Sequence, residues 1–399
     1  MSMRQLDIRS FAVTLSFCIF AVQAVMAAAA ADENLNHTSS WPIYHGDSGL
    51  RGRANCSLPS KLSVLWRYKV GASISMAPVV GGGTIILTAD NGELHSVKTS
   101  GEKAWAVAIQ NPPAGTNVNK QVEQFSSPPL FCNGKVIVGS DAGYLYAVLH
   151  DTGKTIWKFH VGENVVSTAN WIERNDSKGA GVVVISQAEG GLVRVDLEKG
   201  TKVWTTEPVA RSDGSPGVGK DFVVFGSCDA ALHFFSSADG SIKKRINLEG
   251  DGQIAGGVAV DGNLVFAGTR GGLAVCADVS KSAIVWTNQI SNSETFATPA
   301  LTDDRLITGA NDGRIYCLDR NGGKIIWKTK VRGDPLSPVV AGDKVVVSSG
   351  GTLYMLSLKD GAELWSDKHS DTITSPAVFD EKVVVGTDDG FLIMYGAGK

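Results

Sequence analysis

Residues 297–331 read ATPALTDDRLITGANDGRIYCLDRNGGKIIWKTKV. A small residue and a proline open the phrase, and proline, lacking an N–H, is tolerated where a strand begins. A short apolar run follows, and then the pair Asp312-Gly313, whose glycine supplies the positive φ that a tight hairpin needs. Ile315 stands two residues beyond that glycine. The phrase closes on Gly323-x-x-x-Trp327. Read in order, these signals describe four short antiparallel strands.

The same phrase recurs about every 40 residues along the chain, the mark of a repeat architecture. Small-Pro openings stand at Ala77-Pro78, Ser127-Pro128, Ser215-Pro216, Thr298-Pro299, Ser337-Pro338 and Ser375-Pro376. The third strand carries Leu94, Leu145, Leu192, Leu232, Leu273, Ile315, Leu353 and Leu392 at one repeat position, which predicts a packed layer between neighbouring sheets. Seven of the nine tryptophans (Trp66, Trp105, Trp157, Trp204, Trp286, Trp327 and Trp365) end the fourth strands. One large indole at one place per repeat is expected to pack blade against blade rather than to stack on a ligand.

Three units drift from the consensus, as repeats tolerate when only the average packing must survive. Ala169-Asn170 replaces small-Pro in the third unit, whose first hairpin is lengthened by Glu173 to Gly181. In the fourth, Ala230 stands where the turn glycine is expected, and the tryptophan place falls at Lys244 or Arg245. The fifth has Gly257 in place of proline. The chain's ends complete each other: residues 373–395 supply three strands without a tryptophan strand, and Leu62 to Val70 is a tryptophan strand with no unit before it. Pairing them gives an all-β, eight-bladed propeller of four-stranded antiparallel blades over residues 62–399, with its ring closed and its open edge removed.

Residues 1–31 read as a signal peptide. Arg4 and Arg9 precede an apolar run from Phe11 to Met26, and Ala27 to Ala31 offer small-x-small cleavage sites. An uncleaved anchor is the alternative; Phe17 sits badly for a lipoprotein cleaved at Cys18. Residues 32–61 form an N-terminal arm. The formal charge is −3 over the full chain, and the signal's net positive charge leaves the mature chain slightly more negative. That balance makes no case for nucleic acid, and a membrane would be met only indirectly. Cys56, Cys132, Cys228, Cys276 and Cys317 remain after cleavage, without a CxxC pair among them; Cys276 and Cys317 read as small buried hydrophobes.

SPAVFDEKVVVGTDDGFLIMYG (375–396), residues 297–331 and SPPLFCNGKVIVGSDAGYLYAVLHDTGKTIWKFHVG (127–162) resemble the repeats of pyrroloquinoline-quinone (PQQ) type propellers. That superfamily includes quinoprotein dehydrogenases and BamB, a component of the outer-membrane β-barrel assembly machinery. The segment Trp41 to Gly49 is similar to the arm that precedes many secreted members. The resemblance implies either a scaffold for protein partners or an oxidoreductase holding PQQ over Ca²⁺. The residues favour the scaffold. No vicinal Cys-Cys pair and no Asp-x-Asn-x-Asp loop occur, and Asp90, Asp312, Asp388 and Asp389 stand in turns, where turn chemistry accounts for them.

The chain is therefore expected to be a non-catalytic, monomeric, exported propeller without a cofactor, working in the periplasm, at the outer-membrane periphery or outside the cell. A carbohydrate-binding or sensor role is a further alternative. His95 and His233 share a third-strand position with Tyr146, Tyr316 and Tyr354 and read as repeat residues, whereas His45 lies outside the repeats. The best binding candidate is the long connection from Trp105 to Pro128, because long loops on a rigid scaffold are where binding usually resides. Its polar stretch, residues 110–124, contains Asn117, Asn119, Lys120, Glu123 and Gln124.

Overall fold

The computed structural model describes residues 40–111, 121–162, 164–173, 179–186 and 190–398; residues 1–31, read from the sequence as a signal peptide, lie outside them. Eight four-stranded antiparallel sheets follow one another around a ring, the first seven ordered from inner to outer strand as the chain runs. Blade six shows the pattern: Ala300–Leu301, Arg305–Ala310, Arg314–Asp319 and Ile325–Lys330. Ser63–Lys69 pairs antiparallel with Phe391–Gly396, so the N-terminal strand completes blade eight. The ring closes as the complementary ends require. Of the eight third-strand aliphatics, all but Leu273 are fully buried.

The tryptophans lock each blade to the next. The Trp66 indole N–H donates to the Thr99 carbonyl at 3.0 Å, Trp157 to Leu197 at 3.0 Å, Trp286 to Arg320 at 2.9 Å and Trp327 to Leu358 at 3.0 Å. Trp105 and Trp204 reach the corresponding turns at His150 and Ser237. Beneath each ring lies a glycine with positive φ: Gly101, Gly153, Gly200, Gly240, Gly323 and Gly361. A Cβ at those places would stand 2.5–3.0 Å from the indole, well inside van der Waals contact. Glycine is required there by both the backbone and the ring above it.

Blade four places Lys244 opposite Phe234, the position that Trp204 holds opposite Arg194 and Trp327 opposite Cys317. Lys244 thus occupies the tryptophan place, and its ammonium donates to the Val279 carbonyl at 2.7 Å. With no indole above, the glycine of the next turn is replaced by Ser282, at φ 54°. Trp365 faces blade eight, whose outer strand arrives from the N-terminus and so forms no such turn; it packs edge-on against Tyr395 instead, with centroids 5.6 Å apart. Each outer strand also bulges one residue before this position. The bulge turns Leu65, Ile156, Val285, Ile326 and Leu364 outward and blunts the exposed edge against pairing with another chain.

The arm does not stand apart from the ring. Residues 41–54 run as a strap around the inner strands, on the face that carries the first hairpin turns. Equivalent inner-strand N–H groups donate to its carbonyls: Val80 to Trp41, Phe131 to Pro42, Val218 to Ser48, Val260 to Gly49, Leu301 to Arg51 and Val340 to Gly52, all at 2.7–2.8 Å. Blade three adapts. The Trp171 N–H is met by the Asn170 side chain, whose amide donates to Ser48 O. Arg53–Ala54 then joins blade seven as a parallel fifth strand. The strap therefore satisfies an inner edge that would otherwise leave buried donors unpaired.

Candidate functional site

His45 clasps the strap. It is 2 % exposed, and its Nδ1 and Nε2 lie 2.7 and 2.8 Å from the carbonyl oxygens of Leu50 and Pro338. Burial pushes the ring's pKa below its ordinary value, against the two carbonyls and Asp47, which favour the protonated form. Gly52 lies directly under the ring, where a Cβ would collide with it. Tyr44 stacks on His45 and donates its hydroxyl to Ser337 Oγ at 2.5 Å, with Thr298 Oγ1 at 3.1 Å. His45 is thus a structural residue of the strap. His95, beside Glu93 and Tyr68, and His233, beside Ser227 and Asp229, are likewise engaged within the protein.

Strand direction divides the ring into two faces. The first hairpins and the strap share one, and the second-to-third turns share the other with the connections that enter each blade. On this loop face each connection latches onto the turn of the blade it enters: Asp90 N donates to Ser73 O, Asp141 N to Gln124 O, Cys228 N to Arg211 O, Arg270 N to Gln253 O and Asn311 N to Glu294 O. The long connection lies here, with Glu123 O against Gly92. Its stem is a small hairpin, Gln110–Asn111 paired with Gln121–Val122.

Of the candidate loop residues, Asn117, Asn119 and Lys120 lie outside the described residues. Gln124 is exposed and anchored through its backbone. Glu123 is 4 % exposed and accepts the Tyr146 hydroxyl at 2.7 Å; burial and this carboxylate both push the tyrosine's pKa up. Glu123 therefore fastens the connection to blade two and offers nothing outward. This corrects its place among the candidate contacts.

Around the same face, the connections entering blades four, six and seven and a turn of blade five build a cluster that no motif announces. Arg211, entering blade four, pairs with Asp213 at 3.0 Å; Arg270, on the turn of blade five, pairs with Glu294 at 3.0 Å and reaches Asp213 at 3.9 Å. The Arg270 guanidinium lies 5.1 Å over the ring of Phe296, which is 37 % exposed, and Leu336 on the next connection is also exposed. Here an accessible aromatic is held by an arginine, with charged groups at its rim. The ion pairs hold it in place and contribute little stability on their own.

A quinone held by calcium needs converging oxygen donors, six to eight of them around the ion. Among the described residues no three His, Cys, Asp or Glu side chains are grouped so that they could hold a metal ion. The strap end of the ring presents the hydroxyls of Tyr44, Thr298 and Ser337. The five cysteines among the described residues are free thiols rather than a vicinal disulfide; burial raises Cys132 and Cys276 to about 12 and Cys317 to about 11. This donor set does not fit a calcium-held quinone.

Residues 51–246, 243–315 and 293–398 match the family described as outer membrane protein assembly factor BamB. A protein of that name from Shewanella oneidensis is 30% identical over 196 residues, covering 49% of this chain and 47% of its own, so the matched stretch spans about half of that relative. The crystal structure of BamB from Moraxella catarrhalis superposes with a TM-score of 0.68 at 17% identity, covering 84% of this chain and 98% of that one. A europium-containing methanol dehydrogenase superposes with a TM-score of 0.73 at 12% identity, over 92% of this chain and 100% of that one. At these identities the two structures share the fold, and the fold serves both scaffolds and enzymes.

Proposed function

Because the chain belongs to the family of outer membrane protein assembly factor BamB, we propose that it is a non-catalytic exported scaffold that docks protein partners of outer-membrane protein assembly on its loop face. Phe296, exposed beneath Arg270 and framed by Arg211, Asp213 and Glu294, is the observation that carries this reading. Side chains of this kind contribute most of the binding energy in protein interfaces, and here a rigid ring presents them with little ordering left to do. The small hairpin at Gln110–Asn111 and Gln121–Val122 stands on the same face and extends it. The methanol dehydrogenase likeness is one of fold, and the donor chemistry inside this ring lends it no further support.

The test is capture of the barrel-assembly components from envelope extract of the host by the exported protein, with Phe296→Ala and Arg270→Ala as variants. Each is expected to weaken capture by roughly tenfold or more, the loss of about 1.4 kcal/mol or more, while thermal unfolding stays close to wild type. Undiminished capture by the double variant would move the docking surface elsewhere.

A further inference from the structure

The seam between blades seven and eight is built unlike the others. Blade eight ends on Ser63–Lys69, a strand that arrives from the other end of the chain and closes the ring. Trp365 has no turn to rest on there and packs against Tyr395, whose hydroxyl is buried without a partner. The closing strand is tied to blade seven through Arg67. Its guanidinium lies 3.0 Å from His369 Nδ1, and His369 Nε2 lies 2.8 Å from Asp367 Oδ2. Among the described residues this is the one side-chain hydrogen bond from the closing strand to blade seven. Trp66 and Tyr68, on either side of Arg67, reach blade one instead.

This geometry fixes the charge of the histidine. A guanidinium only donates, so Nδ1 must accept, and the ring carries its one proton on Nε2, donated to Asp367. A second proton would have to enter at Nδ1 and would set two cations 3.0 Å apart. The His369 side chain is 9 % exposed and stands edge-on to Tyr395, with centroids 5.6 Å apart, which leaves the ring little room to turn away. The groups that face it pull in both directions: Asp367 favours the imidazolium and Arg67 the neutral ring. Tyr395 stays a phenol, because burial and then Asp367 push its pKa up. Lys69 on the closing strand, Lys368 on blade seven and Asp371 on the connection into blade eight are exposed to solvent. Asp388 is engaged by the Ser370 hydroxyl and the Thr372 N–H.

We infer that Arg67, His369 and Asp367 form a pH-dependent latch on the strand that closes the ring, shut while His369 is neutral and released when it takes a second proton. Histidine changes charge between about pH 5 and 8, so the contact is present at the upper end of that window and lost toward the lower. The experiment uses the whole exported protein without any partner. Urea unfolding compares Arg67→Met with its parent at about pH 8 and about pH 5, in the wild-type and the His369→Gln backgrounds. In wild type the substitution should lower the folding equilibrium constant roughly three- to tenfold at the higher pH, the loss of about one hydrogen bond, and by less than about twofold at the lower. In His369→Gln the loss should be the same at both, because a neutral amide accepts from Arg67 and donates to Asp367 at either pH. At the lower pH, amides of residues 63–69 should exchange faster in wild type than in His369→Gln. Nitrogen-15 correlation spectra should show His369 at the higher pH with its proton on Nε2. A loss from Arg67→Met that is independent of pH in wild type, the same pH dependence in the glutamine background, equal exchange in the two proteins, or a proton on Nδ1 at the higher pH would each overturn the latch.

Discussion

Lys244 and Ser282 are predicted to be one substitution seen from two sides, and a double-mutant cycle measures it. In six seams an indole rests on a positive-φ glycine, with 2.5–3.0 Å from the ring to where a Cβ would be. Lys244→Trp alone would bring an indole onto the Ser282 Cβ, an overpacking that costs about 1–3 kcal/mol. Ser282→Gly alone removes a left-handed serine, φ 54°, worth about 1–2 kcal/mol. The added freedom of glycine in the unfolded chain offsets about 0.5–1 kcal/mol of that. The single change is therefore nearly neutral. With both, the seam gains an indole over glycine, its N–H takes over the lysine's bond to the Val279 carbonyl, and burial of the ring beyond what the lysine stem already covers contributes about 1–2 kcal/mol. The coupling should thus be favourable by about 2–5 kcal/mol, far above the few tenths seen between independent sites. Guanidinium unfolding of the four proteins, followed by tryptophan fluorescence and by far-UV circular dichroism, reads it out. Additivity within about 0.5 kcal/mol would show that the serine does not follow from the missing indole.

Three further outcomes follow from the same structure. His45→Ala should destabilise the protein by about 2–4 kcal/mol, because it leaves the Leu50 and Pro338 carbonyls facing a cavity; a change below about 0.5 kcal/mol in denaturant unfolding would remove the clasp from the argument. Asp278, lowered from 3.8 to about 2 mainly by the Ser280 hydroxyl and then by Lys281, contributes stability that is present above its unfolded pKa and lost as pH falls through the folded one. Asp278→Asn should therefore cost about 1–2 kcal/mol at neutral pH, and the gap to wild type should close between pH 3.8 and about 2; a gap independent of pH would refute it. Incubation with PQQ and Ca²⁺ should yield neither stoichiometric binding in calorimetry nor dye-linked alcohol oxidation, and turnover would overturn the scaffold reading.

The repeat, its strands, the hairpin turns and the closure of the ring were legible in the sequence because each rests on a pattern completed within about 40 residues. An Asp-Gly turn, an aliphatic two places on and a tryptophan at the end of the fourth strand act on their immediate neighbours, and counting incomplete ends is enough to pair Ser63–Lys69 with Phe391–Gly396. Even the drift of blade four was visible as Ala230, which holds the turn at φ 57° where glycine was expected. That Ser282 answers Lys244 was not, because the two meet only across a seam.

The strap and the loop-face cluster were decided by tertiary structure. Residues 41–54 bond to the inner strands almost wholly through backbone groups, which carry no side-chain signal, and the His45 clasp reaches a carbonyl 293 positions away. Glu123 looked like an ordinary polar loop residue until the fold set Tyr146 against it. Arg211 and Phe296 belong to two different connections and Arg270 to a hairpin turn of the blade between them, each unremarkable alone. Ring closure lays those connections side by side on one face, so a surface that no single repeat contains arises from the geometry of eight.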